Sequence, residues 1–459
     1  MSRVAVIGGG ITGLAAAHYL KGRADVLVLE AEARPGGKFA TIDLHGTVFE
    51  SGPDSWLGSA PHVEQLAAAV GLGDELVAPA VFGAHVWLDG ELKRVPRTFT
   101  FGMPTSPAAA LRSGVLSRLG AVRTGADLVL PGPLAGPDVS IADFVRHRFG
   151  AEVLEKLVDP LLAGTRAGRA EEISLAAAVP QIDALAREHR SLMRGLARSE
   201  RRGERNGGPP PFLAPRAGMR RLIEALENDV TNGAEIRTGS SVERIERRGG
   251  AYRVHSAAGD AVEADALVLT VPAYAAAAML RNLNPGAAGD LAGIEYASVA
   301  TAAFVFPPGS VTLPPDASGL LVPSRERRTL AAATWFSRKW PNLAPADGRI
   351  VLKAFAGRAM GDTEVGMDDD RLVAALLDDL SAAVDIRARP EATQLTRWAR
   401  ALPQYAVGHL ERIQRIESAL ESTPGIALAG SAYRGSGISD CVKTAERAAE
   451  RLTASGALP

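Results

Sequence analysis

The sequence predicts an α/β fold whose main sheet is parallel and is built from three separated stretches of chain. Residues 4–29 have the pattern strand, glycine-rich turn, helix and strand. Residues 266–271 and 426–429 are continuous apolar runs, which are typical of strands buried on both faces of a parallel sheet. Because long segments separate the three stretches, the domain that contains this sheet is predicted to be discontinuous.

The turn after the first strand has the glycine spacing of a dinucleotide-binding site. It comprises Gly8, Gly9, Gly10, Ile11, Thr12 and Gly13. Gly8 allows a tight turn, Gly10 lets the backbone approach a pyrophosphate, and Gly13 lets the helix lie close to the sheet. Unpaired N–H groups at the helix N-terminus favour an anionic group. Glu30 follows the second strand, where its carboxylate can accept hydrogen bonds from ribose hydroxyls.

Two further glycine turns favour FAD over NAD as the bound dinucleotide. Gly36 and Gly37 precede the cation Lys38. A second small-residue turn comprises Gly52, Pro53, Asp54 and Ser55. A cation and an additional turn can hold the remainder of a long cofactor, whereas a nicotinamide site needs no such extension.

Length, charge and cysteine content limit the class of protein. A chain of 459 residues is too long for one core, so we expect two or three domains. The formal net charge of −1 argues against a polyanion-binding protein, and no nucleic-acid partner is expected. Cys441 is the only cysteine, so neither a disulfide framework nor a metal site is expected. No transmembrane-length apolar run or signal peptide is present in the sequence, which predicts a soluble, cytoplasmic protein.

The middle of the chain has helical periodicity, which predicts a mostly helical insertion over residues 96–213. Residues 107–130 carry apolar side chains at helical spacing among arginines, which favours a helix packed through its apolar side. A basic amphipathic helix can also lie on a membrane, so weak membrane association is left open. Residues 198–213 are rich in arginine, glycine and proline and are predicted to be a flexible basic loop.

Strand patterns elsewhere predict two further sheets. Residues 235–237, 242–247 and 252–256 predict a small antiparallel meander. A mixed sheet is predicted from residues 298–306, 318–323, 329–336 and 350–357, with a helix at 369–384. The predicted domains are a cofactor domain of residues 1–57, 214–280 and 424–459, a substrate domain of residues 58–95 and 281–423, and the helical insertion.

Short motifs are spread over nearly the whole chain, at residues 50–55, 159–164, 180–181, 189–192, 339–341, 397–398, 402–409 and 435–441. In this order they resemble the motifs of the protoporphyrinogen/coproporphyrinogen oxidase family, within the flavin amine oxidase-like superfamily. A generic flavin fold does not require these motifs in all three regions. Residues 52–55 and 403–405 are most similar to the soluble bacterial coproporphyrinogen III oxidase branch.

The resemblance implies which residues bind FAD. The implied set is Gly8, Gly9, Gly10, Ile11, Thr12, Gly13, Glu30, Ala31, Lys38, Gly52, Pro53, Asp54, Ser55, Val242, Trp398, Ile438, Ser439 and Asp440. The backbone of Val242 can pair with an adenine edge, and the helix that begins near Asp440 would direct its N-terminal dipole at the flavin pyrimidine. Trp398 can stack on the flavin or form one wall of its site. An equal interpretation is that Trp398 is a large aromatic residue of the core.

The resemblance also implies the reaction, which is oxidation of coproporphyrinogen III to coproporphyrin III in haem biosynthesis. Six electrons leave the tetrapyrrole in three hydride transfers to flavin, with O2 as acceptor and hydrogen peroxide as product. Because the flavin carries the chemistry, no catalytic side-chain acid or base is expected. The candidate substrate contacts are Ser318, Gly319, Leu321 and Phe355 for the ring and Arg94, Arg97, Arg166 and Lys353 for its carboxylates. Ordinary strand core is an equal interpretation of the first four.

Several alternatives stay open at the level of sequence. Protoporphyrinogen IX is the close alternative substrate, because it has two vinyl groups in place of two propionates. A flavin amine oxidase or a carotenoid-type desaturase would share the fold, and a non-catalytic porphyrin carrier could retain the nucleotide site. Amine oxidases often attach flavin through a cysteine, but Cys441 falls inside the predicted terminal helix. FAD is therefore predicted to be held non-covalently. The sequence makes no prediction of oligomeric state.

Overall fold

The structure is a computed structural model that describes residues 1–44, 46–130, 136, 138–205, 210–358 and 365–454. In chain order the strands are β1 (Arg3–Ile7), β2 (Asp25–Leu29), β3 (Thr41–Leu44), β4 (Thr47–Glu50), β5 (Trp56–Leu57), β6 (Leu76–Val77), β7 (His85–Leu88), β8 (Glu91–Arg94), β9 (Phe99–Thr100), β10 (Met103–Pro104), β11 (Phe212–Pro215), β12 (Ala234–Arg237), β13 (Val242–Arg248), β14 (Ala251–Ser256), β15 (Ala261–Ala264), β16 (Ala266–Leu269), β17 (Tyr296–Phe306), β18 (Val311–Thr312), β19 (Gly319–Leu321), β20 (Ala332–Thr334), β21 (Ile350–Ala356), β22 (Asp385–Ile386), β23 (Ala392–Pro403) and β24 (Ile426–Leu428).

The α-helices of the described residues are Ile11–Leu20, Pro61–Ala69, Pro107–Arg112, Arg118–Thr124, Ile141–Arg148, Ala151–Val153, Asp159–Arg166, Leu175–Ala178, Pro180–Glu188, Leu192–Arg205, Arg220–Thr231, Ala273–Leu280, Pro285–Ala292, Phe336–Lys339, Asp369–Ala383, His409–Ala419 and Ile438–Ala454. Within this described part of the chain, none of the helices combines the length and the apolar character needed to cross a lipid bilayer.

A five-stranded parallel sheet, with the order β12-β2-β1-β16-β24, forms the centre of the cofactor domain. Each neighbouring pair of strands is parallel. Every residue of β16 is buried, because both faces of the sheet are covered. The strands come from the beginning, the middle and the end of the chain, which confirms the predicted α/β fold with a discontinuous cofactor domain. The individual domain boundaries stay a prediction.

Three helices cover one face of this sheet. The helix Ile11–Leu20 packs against both Arg220–Thr231 and Ile438–Ala454. Ala15 and Ala16 are fully buried in this layer, and their small side chains allow the helices to approach one another and the sheet closely. The beginning and the end of the chain therefore meet in one core beside β1.

The predicted meander has a different composition in the structure. β12 does not belong to it but pairs in parallel with β2 at the edge of the main sheet. The antiparallel meander is β13-β14-β15, and β15 was not predicted. Residues of β12 alternate between half-buried and exposed. This alternation is the same for a parallel edge strand and for a hairpin strand, so the sequence pattern does not distinguish them.

A seven-stranded mixed sheet forms the substrate domain, in the order β23-β17-β21-β20-β19-β7-β8. On one face, Phe304 and Leu352 share a core with the helix Asp369–Ala383. On the opposite face, Ala303 and Val351 belong to the same core as the cofactor domain. The sheet is therefore covered by a helix on one side and meets the cofactor domain on the other.

β23, a strand of 12 residues, was not predicted from the sequence. Gln394, Arg397 and Arg400 interrupt its apolar pattern. β23 lies at the edge of the sheet beside β17, and an edge strand tolerates polar side chains that a central strand does not.

The helical insertion has its own core and a buried ion pair beside it. Arg148 Nη1 lies 3.3 Å from Asp127 Oδ1, and neither side chain has exposed surface. Asp127 Oδ2 also accepts hydrogen bonds from Ser191 Oγ at 2.7 Å and from Met193 N–H at 2.9 Å. Asp127 therefore caps the start of the helix Leu192–Arg205 from a distant part of the chain.

The prediction of one packed helix over residues 107–130 is wrong. The segment contains two helices, Pro107–Arg112 and Arg118–Thr124. Gly114 has φ +67°, which ends the first helix, and Ser117 Oγ accepts Gly120 N–H, which starts the second. Because the helix is broken, its apolar side chains do not share a buried side, and Leu119 is 84% exposed.

The prediction of a flexible loop at residues 198–213 is wrong over 198–205 and 212–213. Residues 198–205 continue the helix Leu192–Arg205, and residue 212 begins β11. Arginine and glutamate are good helix formers, and the buried Leu196 anchors the helix to the insertion core. Residues 206–209 of the predicted loop lie outside the described residues.

Candidate active site

The glycine turn after β1 is closed on one side and open on the other. Gly8 has φ +106°, a conformation that favours glycine, and its N–H donates to Leu29 O at 2.8 Å. A β-carbon on Gly13 would lie 1.8 Å from Gly8 O, so a side chain there would push the helix away. A β-carbon on Gly10 would meet no heavy atom within 4 Å. The turn therefore offers its backbone to a ligand at Gly10.

The helix Ile11–Leu20 presents free N–H groups at this opening. Its N-cap is Gly10, which has no side chain to cap it. Leu14 N–H donates to Gly10 O, and the N–H groups of the three residues between them have no acceptor in the described part of the chain. Free N–H groups and the positive end of the helix dipole bind phosphate groups. The turn therefore fits the pyrophosphate of a dinucleotide.

Glu30 is buried, and its carboxylate holds the turn in place. Oε2 accepts Gly9 N–H at 2.6 Å, and Oε1 accepts Glu32 N–H at 2.8 Å. The backbone of Glu30 also bonds to the segment that leads into β13. Glu30, Ala31 and Val242 are therefore brought to one end of the main sheet. A contact between Glu30 and ribose hydroxyls stays a prediction.

Lys38 follows a segment that is bonded to the glycine turn. Gly36 N–H donates to Gly9 O at 2.8 Å, which fixes this segment next to the turn. Lys38 Nζ donates to Ala401 O on β23. The Lys38 residue keeps exposed surface, but neighbouring protein desolvates its ammonium group, and this desolvation lowers the pKa of Lys38. Lys38 therefore lies where the cofactor domain contacts the substrate sheet.

Three strands of the substrate sheet hold residues 51 and 52 through side-chain donors. Thr301 Oγ1 on β17 and Trp398 Nε1 on β23 donate to Ser51 O at 3.0 and 3.3 Å. Lys353 Nζ on β21 donates to Gly52 O at 2.6 Å. We call Thr301, Lys353 and Trp398 the 51–52 clamp. Lys353 is only 2% exposed, so this arrangement argues against its predicted contact with a substrate carboxylate.

The side chain of Asp54 is paired inside the protein. Lys339 Nζ lies 2.9 Å from both carboxylate oxygens, and Trp340 Nε1 donates to Oδ2 at 3.3 Å. Burial alone would raise the pKa of Asp54, but the charges of Lys339 and Lys353 outweigh it and lower this pKa to about 2. Because the carboxylate has these partners, a cofactor at residues 52–55 would meet the backbone of the turn.

The glycine turn before the C-terminal helix is fixed by a tyrosine. Tyr405 OH donates to Ser431 O at 2.6 Å and accepts Gly435 N–H at 3.0 Å. The Tyr405 ring stacks on His409 with 4.1 Å between the ring centroids. Burial lowers the pKa of His409 to about 4, so this histidine is neutral at pH 7 and supports the turn.

The C-terminal helix Ile438–Ala454 begins beside the first glycine turn. Ser439 Oγ donates to a backbone carbonyl, and Asp440 Oδ2 accepts a backbone N–H within the turn. Cys441 is buried with its thiol hydrogen-bonded to Thr12, and burial raises the pKa of this thiol to about 11. The N-terminus of this helix therefore lies next to the turn that fits a pyrophosphate.

Five strands of the substrate sheet contribute a row of side chains to the face that meets the cofactor domain. Paired residues on neighbouring strands share a face, and the pairings give the row Val86, Leu321, Ala332, Phe355 and Thr301. We call these five residues the sheet row. Leu321 and Phe355, both predicted to contact the ring, are partly exposed in it.

The other two predicted ring contacts have structural roles. Ser318 N–H and Oγ both donate to Gly83 O, at 2.9 and 3.0 Å. A β-carbon on Gly319 would lie 2.1 Å from Ala333 O, so glycine is required there for β19 to pair closely with β20. These contacts place Ser318 and Gly319 at the start of β19.

The predicted cations lie in different environments. Arg94 donates to two backbone carbonyls and lies 3.5 Å from the Asp316 carboxylate. Arg97 is exposed. Arg166 is half-buried, and its guanidinium donates to Ser436 Oγ at 2.9 Å in the C-terminal glycine turn.

Comparison with known proteins places the chain in a family. Residues 11–453 match the family model described as flavin containing amine oxidoreductase. The chain belongs to this family.

The flavin-containing amine oxidoreductase described here has relatives that match along nearly its whole length. It is 33% identical over 454 residues to coproporphyrinogen III oxidase of Bacillus subtilis strain 168, covering 96% of this chain and 95% of the relative. It is 30% identical over 485 residues to the chloroplastic protoporphyrinogen oxidase of Oryza sativa subsp. japonica, covering 98% and 87%. The crystal structure of a putative protoporphyrinogen oxidase from Exiguobacterium sp. 255-15 matches with a TM-score of 0.87, 33% identity and 98% of both chains.

Membership of the flavin-containing amine oxidoreductases confirms the predicted class of enzyme, an FAD-dependent oxidoreductase. The residues present fit FAD. The opening at Gly10, the free N–H groups of the N-terminal helix and Lys38 lie close together, next to the N-terminus of the C-terminal helix. The individual contacts between FAD and the predicted residues stay predictions.

Sequence reasoning missed some residues that shape this flavin oxidoreductase's site. Thr301 lies in a predicted strand, but its partner Ser51 is 250 positions away, and no local pattern links them. Lys339 was noted only as part of the motif at residues 339–341. That motif was the available signal for its pairing with Asp54.

Proposed function

We propose that this FAD-dependent oxidoreductase oxidises coproporphyrinogen III to coproporphyrin III in haem biosynthesis, with O2 as electron acceptor. The observation that carries the proposal is that the turn at residues 51–52 is held next to a partly exposed apolar side chain of the sheet row: Lys353 Nζ bonds to Gly52 O and lies 5.0 Å from the centroid of the Phe355 ring. The full-length similarity to the coproporphyrinogen III oxidase of Bacillus subtilis supports it.

The width of the sheet row favours a large ring as substrate. Its two partly exposed side chains, Leu321 and Phe355, lie on β19 and β21 with β20 between them, so two gaps of about 4.8 Å separate them by roughly 10 Å. Both side chains are apolar and can pack against a broad ring, whereas Val86, Thr301 and Ala332 of the row are 0%, 5% and 6% exposed and lie in the protein interior. A small amine would cover only a fraction of this surface.

FAD, when bound, supplies the two-electron acceptor for each of three oxidation steps, and O2 regenerates it. The protein's own residues bind and orient the reactants. The free N–H groups before Leu14, with Lys38, would hold the anionic part of the cofactor, and the 51–52 clamp fixes the turn at residues 51–52 against the substrate sheet. Leu321 and Phe355, the partly exposed side chains of the sheet row, would pack against the ring and exclude water from it. His409 Nε2 bonds to Tyr433 O and its ring stacks on Tyr405, so this histidine supports the C-terminal turn.

The decisive assay supplies coproporphyrinogen III and protoporphyrinogen IX separately to the purified protein in air. Porphyrin fluorescence should rise with coproporphyrinogen III, with consumption of O2. A failure to oxidise either substrate, together with oxidation of an amine or a carotenoid, would remove the proposal. Porphyrin binding by protein that lacks a flavin spectrum would point to a carrier.

Protoporphyrinogen IX is the second candidate substrate. The name of the rice relative and the apolar side chains of the sheet row favour it, because two vinyl groups replace two charged propionates in this substrate. In the same assay, a rate with protoporphyrinogen IX alone would overturn the first choice.

Non-covalent attachment of FAD is a further part of the proposal. Cys441 is the only cysteine, and its thiol is buried and hydrogen-bonded to Thr12. Acid precipitation should therefore release the yellow colour into the supernatant. Colour that stays with the precipitated protein would contradict this part.

We propose that the protein acts in the cytoplasm and contacts the membrane weakly through the two short helices Pro107–Arg112 and Arg118–Thr124. Leu119 and Val122 are 84% and 65% exposed, and the exposed Arg112 and Arg118 lie near them in sequence. Exposed apolar groups beside cations suit an anionic lipid surface. Vesicles that contain anionic lipid should retain the wild type more than the double variant Leu119→Ser, Val122→Ser. Equal retention would remove this part of the proposal.

A further inference from the structure

Among the four cations predicted to bind substrate carboxylates, three have other roles or positions. Lys353 is buried and donates to Gly52 O. Arg94 is bonded to backbone carbonyls and lies beside the Asp316 carboxylate. Arg97 is exposed on the segment after β8. Arg166 is the remaining cation, and its surroundings differ from those of the other three.

Arg166 lies between the sheet row and the C-terminal glycine turn. Two residues earlier in the same helix, Gly164 packs on the row: a β-carbon there would lie 3.0 Å from Leu321 Cδ2 and 3.3 Å from Ala332 Cβ. The guanidinium itself reaches Ser436 Oγ at 2.9 Å. A helix that contacts the proposed ring surface therefore ends in a cation directed at the turn before the C-terminal helix.

The positive charge of Arg166 has no carboxylate partner within ion-pair distance in the described part of the chain. Its guanidinium donates to Ser436 Oγ and to Ala178 O, at 2.9 and 2.8 Å. Its other N–H donors have no acceptor among the residues described. Burial lowers the pKa of Arg166, and Asp440 acts on it only at longer range. A partly buried guanidinium without a counter-ion is stabilised by an anion that accepts its free N–H groups.

We propose that Arg166, oriented by Ser436, binds a propionate carboxylate of the porphyrinogen and is a specificity-determining residue of the site. This inference rests on the proposed function, because it assumes a porphyrinogen on the sheet row. A carboxylate at Arg166 would fix one edge of the ring beside the C-terminal turn. The paired charges would favour an acidic porphyrin over an uncharged one of the same ring size.

The test compares a charged ligand with an uncharged one. Coproporphyrin III and its tetramethyl ester are titrated into the FAD-loaded protein in one detergent-containing buffer, and binding is measured by fluorescence quenching. The variants are Arg166→Met and Arg166→Lys. The control is Arg169→Met, which changes an exposed arginine three residues away that pairs with Glu172. Flavin content and melting temperature are recorded for every variant.

Arg166→Met should weaken binding of coproporphyrin III at least tenfold and change binding of the ester less than threefold. Arg166→Lys should give an intermediate loss, because lysine keeps the charge without the planar fork. Arg169→Met should match the wild type. Equal weakening of acid and ester in Arg166→Met would overturn the inference, because it would mean that Arg166 only shapes the cleft. Wild-type protein that neither binds a porphyrin nor oxidises a porphyrinogen would instead refute the proposed function, whatever the variants do.

Discussion

At the scale of single residues, buried charges in this protein hold backbone groups in place. Lys353 lies near Glu50 and Asp54 and holds Gly52 O, and burial lowers its pKa to about 8 against the charges of the two carboxylates. Taking an ammonium out of water costs several kcal/mol, which nearby carboxylates only partly offset. Lys353 therefore fixes the position of the turn, while its burial lowers the stability of the folded protein.

Replacement of Lys353 by methionine should weaken FAD binding about tenfold. Gly52 is half-buried and its carbonyl oxygen would lose its donor, and a carbonyl that is left without a partner away from water costs about 1–3 kcal/mol, so the turn would lose its fixed position. The dissociation constant of FAD is measured by flavin fluorescence during titration of the apoprotein. Lys93→Met, in β8, is the control and should leave the constant unchanged. Wild-type affinity in Lys353→Met would mean that the clamp does not position the cofactor turn.

His409 should make the folded protein sensitive to mild acid. Its folded-state pKa is about 4 against an ordinary value of 6.5, so between these values only the unfolded chain takes up the proton. Stability should therefore fall as pH drops from about 6.5 to about 4, by at most about 3 kcal/mol. Urea unfolding at pH 7 and pH 5 measures this. His409→Gln should show a smaller loss than the wild type, and the control His147→Gln should keep the full loss.

At the scale of elements, the helix Leu192–Arg205 depends on a carboxylate that lies outside it. Asp127 accepts hydrogen bonds from Ser191 and from backbone N–H groups of the first turn, and it faces the buried Arg148. A helix N-terminus has unpaired N–H groups that need acceptors. The same carboxylate neutralises the arginine, so one residue connects two helices of the insertion.

Asp127→Asn should destabilise the protein by about 3–5 kcal/mol, because it removes the carboxylate that faces the buried guanidinium of Arg148. The double variant Asp127→Asn, Arg148→Met should lose less than the two single changes added together, since it removes both charges. The free energy of unfolding in urea measures each variant. A loss below about 1 kcal/mol in Asp127→Asn would show that the pair does not anchor the insertion.

At the scale of the whole molecule, the cofactor domain and the substrate sheet are joined by contacts at one place. The 51–52 clamp, the pair of Asp54 with Lys339, and the bond from Lys38 to Ala401 all cross between them. They hold Lys38 and the turn at residues 51–54, which are predicted to bind FAD. Binding of FAD should therefore stabilise both domains together.

Removal of FAD should lower the melting temperature of one shared unfolding transition. A ligand at 100 times its dissociation constant stabilises the folded state by about 2.7 kcal/mol. Calorimetry of the apoprotein and of the FAD-loaded protein measures this. Two separate transitions, of which only one responds to FAD, would contradict the coupling of the domains.

The sequence was informative where the structure depends on local patterns. The glycine turn and the parallel strands were predictable because Gly8, Gly13 and the apolar run at 266–271 act through near neighbours. β23 was not predictable, because its edge position tolerates the polar Gln394 and Arg397, which interrupt the pattern by which a strand is recognised. The 51–52 clamp was not predictable either, because its contacts join residues 250 to 347 positions apart.

The 51–52 clamp also limits how this enzyme can be recombined with its relatives. The turn belongs to the first segment of the chain, whereas its three donors lie in strands that come 250 or more positions later. A chimera joined between residues 57 and 58 would take the turn from one parent. The residues at the positions of Thr301, Lys353 and Trp398 would come from the other parent. Active hybrids should therefore be those in which these three positions are exchanged together with the turn.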